Sequence, residues 1–259
     1  MNRPQGQSIL HRALWQAGLD RIERLSNMPD AAMRRAIWEE DLRAIGDLAA
    51  VWTVDVLIWE SVRGDTKAQR IYDGLFRPDT VVSIFPADRL ASLRDLAIEE
   101  RAFGAYHWFS CMDACESIAQ TEYQGPRSDR PLGVRRADAR RAQGKELEKL
   151  LHDPDPDVIA NLMHSPHITE AFVLKLCSKR PVPPEVLVVM TQQEKWFSRY
   201  CVKRALLLNP ALPGEYAHNL MVYLSPKDLV DYSNEPTVRE SLRVSASRLV
   251  RGLNQLQDN

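Results

Sequence analysis

Arg180-Pro181-Val182-Pro183-Pro184-Glu185-Val186-Leu187, residues 180–187, sets prolines in a loop, a glutamate just inside a helix and an apolar pair behind it. Proline suits the first helical turn, where its missing N–H is not needed, and a carboxylate there meets the positive end of the helix dipole. The stretch therefore reads as a helix start. Two others follow the same plan: Ser165-Pro166-His167-Ile168-Thr169-Glu170 and Asn209-Pro210-Ala211-Leu212-Pro213-Gly214-Glu215. Apolar residues come next at helical spacing. Tyr216, Ala217, Leu220, Met221 and Leu224 make one stripe; Val238, Leu242, Ser245, Ala246, Leu249, Val250 and Leu253 make another. Helices this short are marginal alone and need stacked neighbours, so the last ~100 residues predict a short helical-repeat array.

Asp153-Pro154-Asp155-Pro156-Asp157-Val158, with the Pro183-Pro184-Glu185-Val186-Leu187 and Asn209-Pro210 steps, resembles the units of leucine-rich-repeat variant and HEAT-like arrays. The resemblance spans residues 152–252, about two-fifths of the chain. It implies a right-handed helical solenoid and a protein-interaction role. An iron–sulfur cysteine cluster is associated with the repeat-variant family, but this chain lacks its compact multi-cysteine motif. Nothing similar extends to the N-terminal half.

Upstream, helical periodicity also dominates. Leu10, Leu14, Ala17 and Ile22 predict one apolar stripe. Pro29-Asp30 opens a second helix, where Met33, Ile37, Ile45, Leu48 and Trp52 recur and which is expected to run to about Val62. Its end, Val51 to Trp59 (VWTVDVLIW), is apolar on nearly every face and reads as a buried helix, with a short strand as the rival. Arg63-Gly64-Asp65-Thr66 reads as a turn with Asp65 or Thr66 as the next N-cap. Val81 to Phe85 reads as an apolar connector, and Pro86 opens a long helix to about Tyr123, with a kink at Gly104. Gln124 to Arg141 then holds Gly125, Pro126, Pro131, Gly133 and six arginines with little aliphatic content. The expected organisation is all-α: a helical domain over 1–124, an arginine-rich linker over 125–144 and a helical-repeat domain over 145–259.

Composition bounds the function. A chain of 259 residues with 44% hydrophobic and 27% charged content can bury its own core without disulfides or metals. Its net charge of −1 argues against a general nucleic-acid binder, which carries a basic excess for phosphate. No apolar run approaches the ~20 residues of a membrane helix. Residues Met1 to Leu10 show no apolar signal core, so the expected compartment is the cytoplasm. Cys111, Cys115, Cys177 and Cys201 are too sparse and irregular for a disulfide framework.

Five groups could carry chemistry. His107, Cys111 and Cys115, spaced four apart, would share a helix face and offer zinc or iron–sulfur ligands, with packing as small apolar side chains the plain alternative. Cys177 and Cys201 would have to fold in to complete a set of four. His164 and His167 flank a helix start, where a polar loop position competes with metal ligation. Glu215-x-x-His218 is a single half of the paired motif that a di-iron bundle needs, and Glu39, Glu40, Glu60, Glu99 and Glu100 lack the histidine three residues on. Asp55 interrupts an apolar run and is either a buried acid or a paired one. Trp196, Phe197, Arg199, Tyr200, Lys203 and Arg204 combine aromatic and cationic anchors on one expected helix, as core or as a binding strip. No phosphate loop, dinucleotide fingerprint, zincin motif or nucleophile elbow occurs.

The reading is a non-enzymatic scaffold or adaptor that needs no cofactor. It binds another protein through Trp196, Arg199, Tyr200, Lys203 and Arg204. One alternative is a metal protein built on His107, Cys111 and Cys115. The other is a nucleic-acid-associated factor using Arg127, Arg130, Arg135, Arg136, Arg140 and Arg141, although that stretch lacks interleaved aromatics. Self-association and a Cys–His pair meeting in space stay open.

Overall fold

The computed structural model describes residues 9–114 and 130–257, and among these the chain is all-α, with no strand. In chain order the helices are α1 Ile9–Ser26, α2 Ala31–Ala44, α3 Asp47–Val62, α4 Thr66–Leu75, α5 Asp79–Ile84, α6 Ala87–Glu99 and α7 Phe103–Phe109. Then come α8 Leu132–Ala139, α9 Gly144–Leu150, α10 Pro156–Met163, α11 Glu170–Cys177, α12 Pro184–Thr191, α13 Glu194–Phe197 and α14 Tyr200–Leu207. Last are α15 Gly214–Leu220, α16 Pro226–Asn234 and α17 Glu240–Gln257. None of them is long and apolar enough to cross a membrane. They form two compact units: Met1–Cys115 with Gly214–Asn259, and Glu116–Pro213. The division differs from the expected 145–259 domain, because the last 46 residues (214 to 259) join the N-terminal helices.

In the first unit α3 is the centre. All of Ala50–Val62 is buried, and α1, α4, α6 and α7 pack around it. The β-branched run stays helical because a helix closes its own backbone hydrogen bonds, whereas a lone strand would bury orphan amides on every side. Burial of each large aliphatic side chain there contributes about 1.5–3 kcal/mol. Asp55 is fully buried in that run with its carboxylate engaged. Its Oδ1 accepts from Trp59 Nε1 (3.1 Å) and from the backbone N–H of Gly104 (2.9 Å) and Ala105 (3.2 Å). The carboxylate thus caps the first turn of α7 and docks it on α3. A Cβ at Gly104 would lie 3.0 Å from Asp55 Oδ1 and 3.1 Å from Ile58 Cβ, so glycine permits the approach. From the far end of the chain, α17 presents Gly252 to the Trp59 ring, and a Cβ there would fall 2.6 Å from Cζ2.

Several boundaries depart from expectation. The second helix does not run through to Val62. It ends at Ala44, the Ile45 N–H caps back onto Asp41 O, and α3 restarts with Gly46 extended and Asp47 in its first turn. Residues 81–85 belong mostly to a helix, α5, and not to a connector. The long helix from Pro86 breaks at Glu100–Ala102, where Arg101 adopts φ 54°, and not at Gly104. Its expected continuation to Tyr123 passes outside the described residues. In α1 the buried positions are Gly18, Ile22, Leu25 and Ser26, so Leu10 and Ala17 of the anticipated stripe face out. The N-cap at Asp65 forms as expected, accepting from Ala68 N at 2.8 Å.

In the second unit, residues 132–139 of the expected linker form α8, and Ala139 and Ala142 are buried. The helix forms because its arginines have partners. Arg135 pairs with the buried Asp153, Arg136 pairs with Asp157, and Arg140 Nε donates to Asn161 Oδ1 at 2.7 Å. The last two links join residues 21 apart, so α8 and α10 lie side by side and parallel. α10 packs in turn on α12. α11 and α14 run parallel too: Glu170 meets Arg199 at one end, and Cys177 O receives Asn209 Nδ2 (2.7 Å) at the other. The three proline–glutamate starts all open helices, α11, α12 and α15.

Candidate functional site

The aromatic–cationic cluster of the second unit is bent by a break at Ser198–Arg199, which separates α13 from α14 where one helix is expected. The bend divides the five expected binding residues. Trp196 is buried, and its Nε1 donates to Met163 O at 3.2 Å. Lys203 is buried as well, its Nζ 4.9 Å from the Phe197 ring centroid. Arg199, Tyr200 and Arg204 are exposed. Lys195 Nζ and Arg199 Cζ stand 4.5 and 5.0 Å from the Trp196 centroid. A buried indole thus holds two cations in place by the attraction of its ring face for positive charge.

Glu170, at the start of α11, reaches the edge of this cluster. One carboxylate oxygen pairs with Arg199 and the other accepts from Cys201 Sγ at 2.7 Å. The thiol and then the guanidinium hold the Glu170 carboxyl below its usual range, and the same hydrogen bond raises the Cys201 thiol. On the opposite end of α11, Lys175 and Lys179 lie close enough to His152 to lower its pKa, after burial.

The first unit holds a buried polar core. The rings of His107 (α7) and His218 (α15) stack, with centroids 3.8 Å apart and planes 11° apart. Each Nε2 lies against the other residue's carbonyl oxygen, at 3.0 Å from His107 and 2.7 Å from His218. A carbonyl only accepts, so each Nε2 carries a proton, and the charge of each ring turns on Nδ1. His218 Nδ1 is buried with no hydrogen-bond partner. A proton added there would be unsolvated, and burial brings His218 down to about 4 and His107 well below its ordinary value. Next to the pair, Cys111 is buried with Sγ 3.9 Å from Pro78 O, and burial pushes its thiol up to about 12. Asn219 Nδ2 donates to Phe76 O (2.8 Å), and Tyr72 Oη to Asn219 O (3.1 Å), tying α15 to the end of α4.

His107 and Cys111 are thus near one another but engaged with backbone carbonyls, and Cys115 lies outside the described residues. Cys111 falls in a 3-10 turn and not on α7, because α7 ends at Phe109. Among the described residues no group of three or more His, Cys, Asp and Glu side chains is arranged to hold a metal. His164 and His167 are both exposed, and His164 Nδ1 engages Ala160 O at 2.8 Å. Glu215 and His218 share α15, but the imidazole turns to His107. Of the six arginines, Arg130, Arg135, Arg136 and Arg140 bond within the second unit; Arg127 lies outside the described residues. The residues that the sequence does not single out are Glu170 as partner of Arg199, and His218 as partner of His107. No local pattern marks either, since the members sit 29 and 111 positions apart.

Comparison with known proteins finds no matching family model, no similar curated protein and no similar solved structure.

Proposed function

We propose that this chain is a non-enzymatic scaffold or adaptor whose residues 130–213 are a short α-solenoid that binds another protein. The observation that carries the reading is the parallel side-by-side stacking of helices separated in sequence by one or two others: α8 beside α10, with α9 between, and α11 beside α14, with α12 and α13 between. Such stacking is how helical repeats build one continuous core, and it leaves a surface whose side chains vary at little cost to that core. The turns between helices are tied by side chains. Asn209 Nδ2 donates to Cys177 O and Lys179 O, Ser165 Oγ to Ala142 O, and Trp196 Nε1 to Met163 O. On this frame Arg199, Tyr200 and Arg204 are the contact residues, with Trp196 and Lys203 fixing them from beneath.

The test is affinity purification of the full chain from its native host, as wild type and as the Arg199→Glu/Tyr200→Ala/Arg204→Glu variant. A stoichiometric protein partner that is lost with the variant supports the reading. Recovery of the same partners by both overturns it, provided the variant keeps the wild-type circular dichroism and melting temperature.

A further inference from the structure

We propose that the α13–α14 face takes an acidic peptide segment of its partner, and that Glu170 occupies the place of one partner carboxylate until that segment arrives. The proposal rests on the protein-binding reading above and names its ligand class. Residues 194–208 carry Lys195, Arg199, Lys203 and Arg204 against one acid, Glu194, in a chain whose net charge is −1. These cations are placed, not scattered. Lys195 and Arg199 flank the ring of the buried Trp196, and Lys203 stands on the Phe197 ring. Tyr200 and Arg204, four residues apart, share an exposed strip along α14, with the exposed Arg199 at its N-cap and Lys203 buried behind them. A cation held against an aromatic face loses less side-chain freedom on binding than one on a mobile stem, which favours capture of a carboxylate. Tyr200, 42% exposed, adds an aromatic surface with a hydroxyl at its tip.

Glu170 shows what the face accepts. It comes from the neighbouring helix, its carboxylate sits on Arg199, and its second oxygen takes the Cys201 thiol proton as a hydrogen bond. Its pairing with Arg199 is exposed to water, so an incoming carboxylate can exchange with it. Two such groups compete for one guanidinium. Removing the charge of Glu170 therefore strengthens binding of an acidic peptide, whereas a Glu170 that only stabilises the fold would weaken or not affect it.

The experiment uses the whole chain in two measurements. Fluorescence anisotropy with a fluorescein-labelled peptide of ten glutamates is expected to show saturable binding that weakens with salt. Glu170→Gln should tighten it by about threefold, the size expected of one exposed ion pair removed from competition. Lys195→Ala/Arg199→Ala/Arg204→Ala should abolish it. Unchanged or weaker binding by Glu170→Gln overturns the placeholder role, and tighter binding of a single-stranded DNA of equal charge overturns the peptide assignment. The second measurement is selection from a random-peptide display library on the wild-type chain, with counter-selection on the triple variant. Variant-sensitive peptides rich in Asp and Glu support the proposal. Variant-sensitive peptides without an acidic excess overturn the ligand class while leaving the binding face intact; no variant-sensitive peptide at all overturns both.

Discussion

Acidification should destabilise the first unit well before its carboxylates protonate, and the cause is the stacked pair His107–His218. Both imidazoles are neutral and buried in the folded state, and both are harder to protonate there than in water. In the unfolded chain each regains its ordinary value near 6.5. The unfolded state thus binds protons first. Stability is complete above about pH 6.5, falls as pH drops below it, and flattens once the folded His218 itself protonates at about 4. Between those limits His218 alone accounts for about 3 kcal/mol, from 1.36 kcal/mol per pH unit, and His107 acts in the same direction. The groups facing the pair include Arg248, which opposes protonation of both rings, and Asp113, which favours that of His218. Urea unfolding followed by tryptophan fluorescence between pH 7.5 and 4 reads the loss. His218→Gln removes one titrating ring while its amide can still donate to His107 O, so its stability should fall less steeply over the same range. Imidazole NMR supplies the independent check. A His218 ring that titrates between pH 6 and 7 in the folded protein, or a variant with the wild-type pH slope, would falsify the account.

Substitutions at four further sites and one labelling reaction test other parts of the structure. Asp55→Ala leaves Trp59 Nε1 and the Gly104 and Ala105 amides without this acceptor, and should cost about 3 kcal/mol in urea unfolding, with Asp55→Asn costing less because an oxygen acceptor remains. Gly252→Ala drives a methyl into the Trp59 ring and should lower stability by about 1–3 kcal/mol with a shift of tryptophan emission. Arg135→Ala strands the buried Asp153 carboxylate and should cost about 2–4 kcal/mol; Arg135→Lys should recover part of it, since a single nitrogen, Nη1, makes both contacts to the carboxylate oxygens. Asn209→Ala unties two carbonyls, Cys177 O and Lys179 O, and should raise amide hydrogen exchange at 178–181 and 209–212 ahead of the rest of the second unit. Native-state labelling with iodoacetamide near pH 8 should modify Cys201 before Cys111 and Cys177, whose thiols are both buried and pushed up to about 12.

The all-α class is legible because helical spacing and proline–glutamate starts are local signals. So is the burial of 51–59, where apolar residues on nearly every face point to a central position; that it is helix and not the rival short strand is settled only by the structure. Helix interruptions are not legible: Ile45-Gly46 and Ser198-Arg199 contain no proline, and helical spacing of apolar residues runs on across both. The arginine-rich stretch reads wrongly as linker for a related reason. Arg135 and Arg136 look solvated until Asp153 and Asp157, 18 and 21 positions on, are seen to pair with them. The same long-range blindness hides the grouping of 214–259 with the N-terminal helices, which Gly252 against Trp59 and His218 against His107 help to hold together.

Chemistry-bearing residue types therefore divide by what surrounds them. His107, His218, Cys111 and Asp55 are buried, and each is engaged with backbone donors or acceptors of another segment. A side chain so engaged must break a native contact to serve as ligand or base. Arg199, Tyr200 and Arg204 are in the reverse position: they are exposed, and the fold beneath them is completed by Trp196, Phe197 and Leu206. Substitution at the first group should move stability, and substitution at the second should move binding with stability nearly unchanged. The single residue that belongs to both groups is Glu170, which pairs with Arg199 and Cys201 within the fold yet stands at the edge of the exposed face. Its charge is consequently the most discriminating one to remove, because a structural role and a competing role predict opposite signs for the change in affinity.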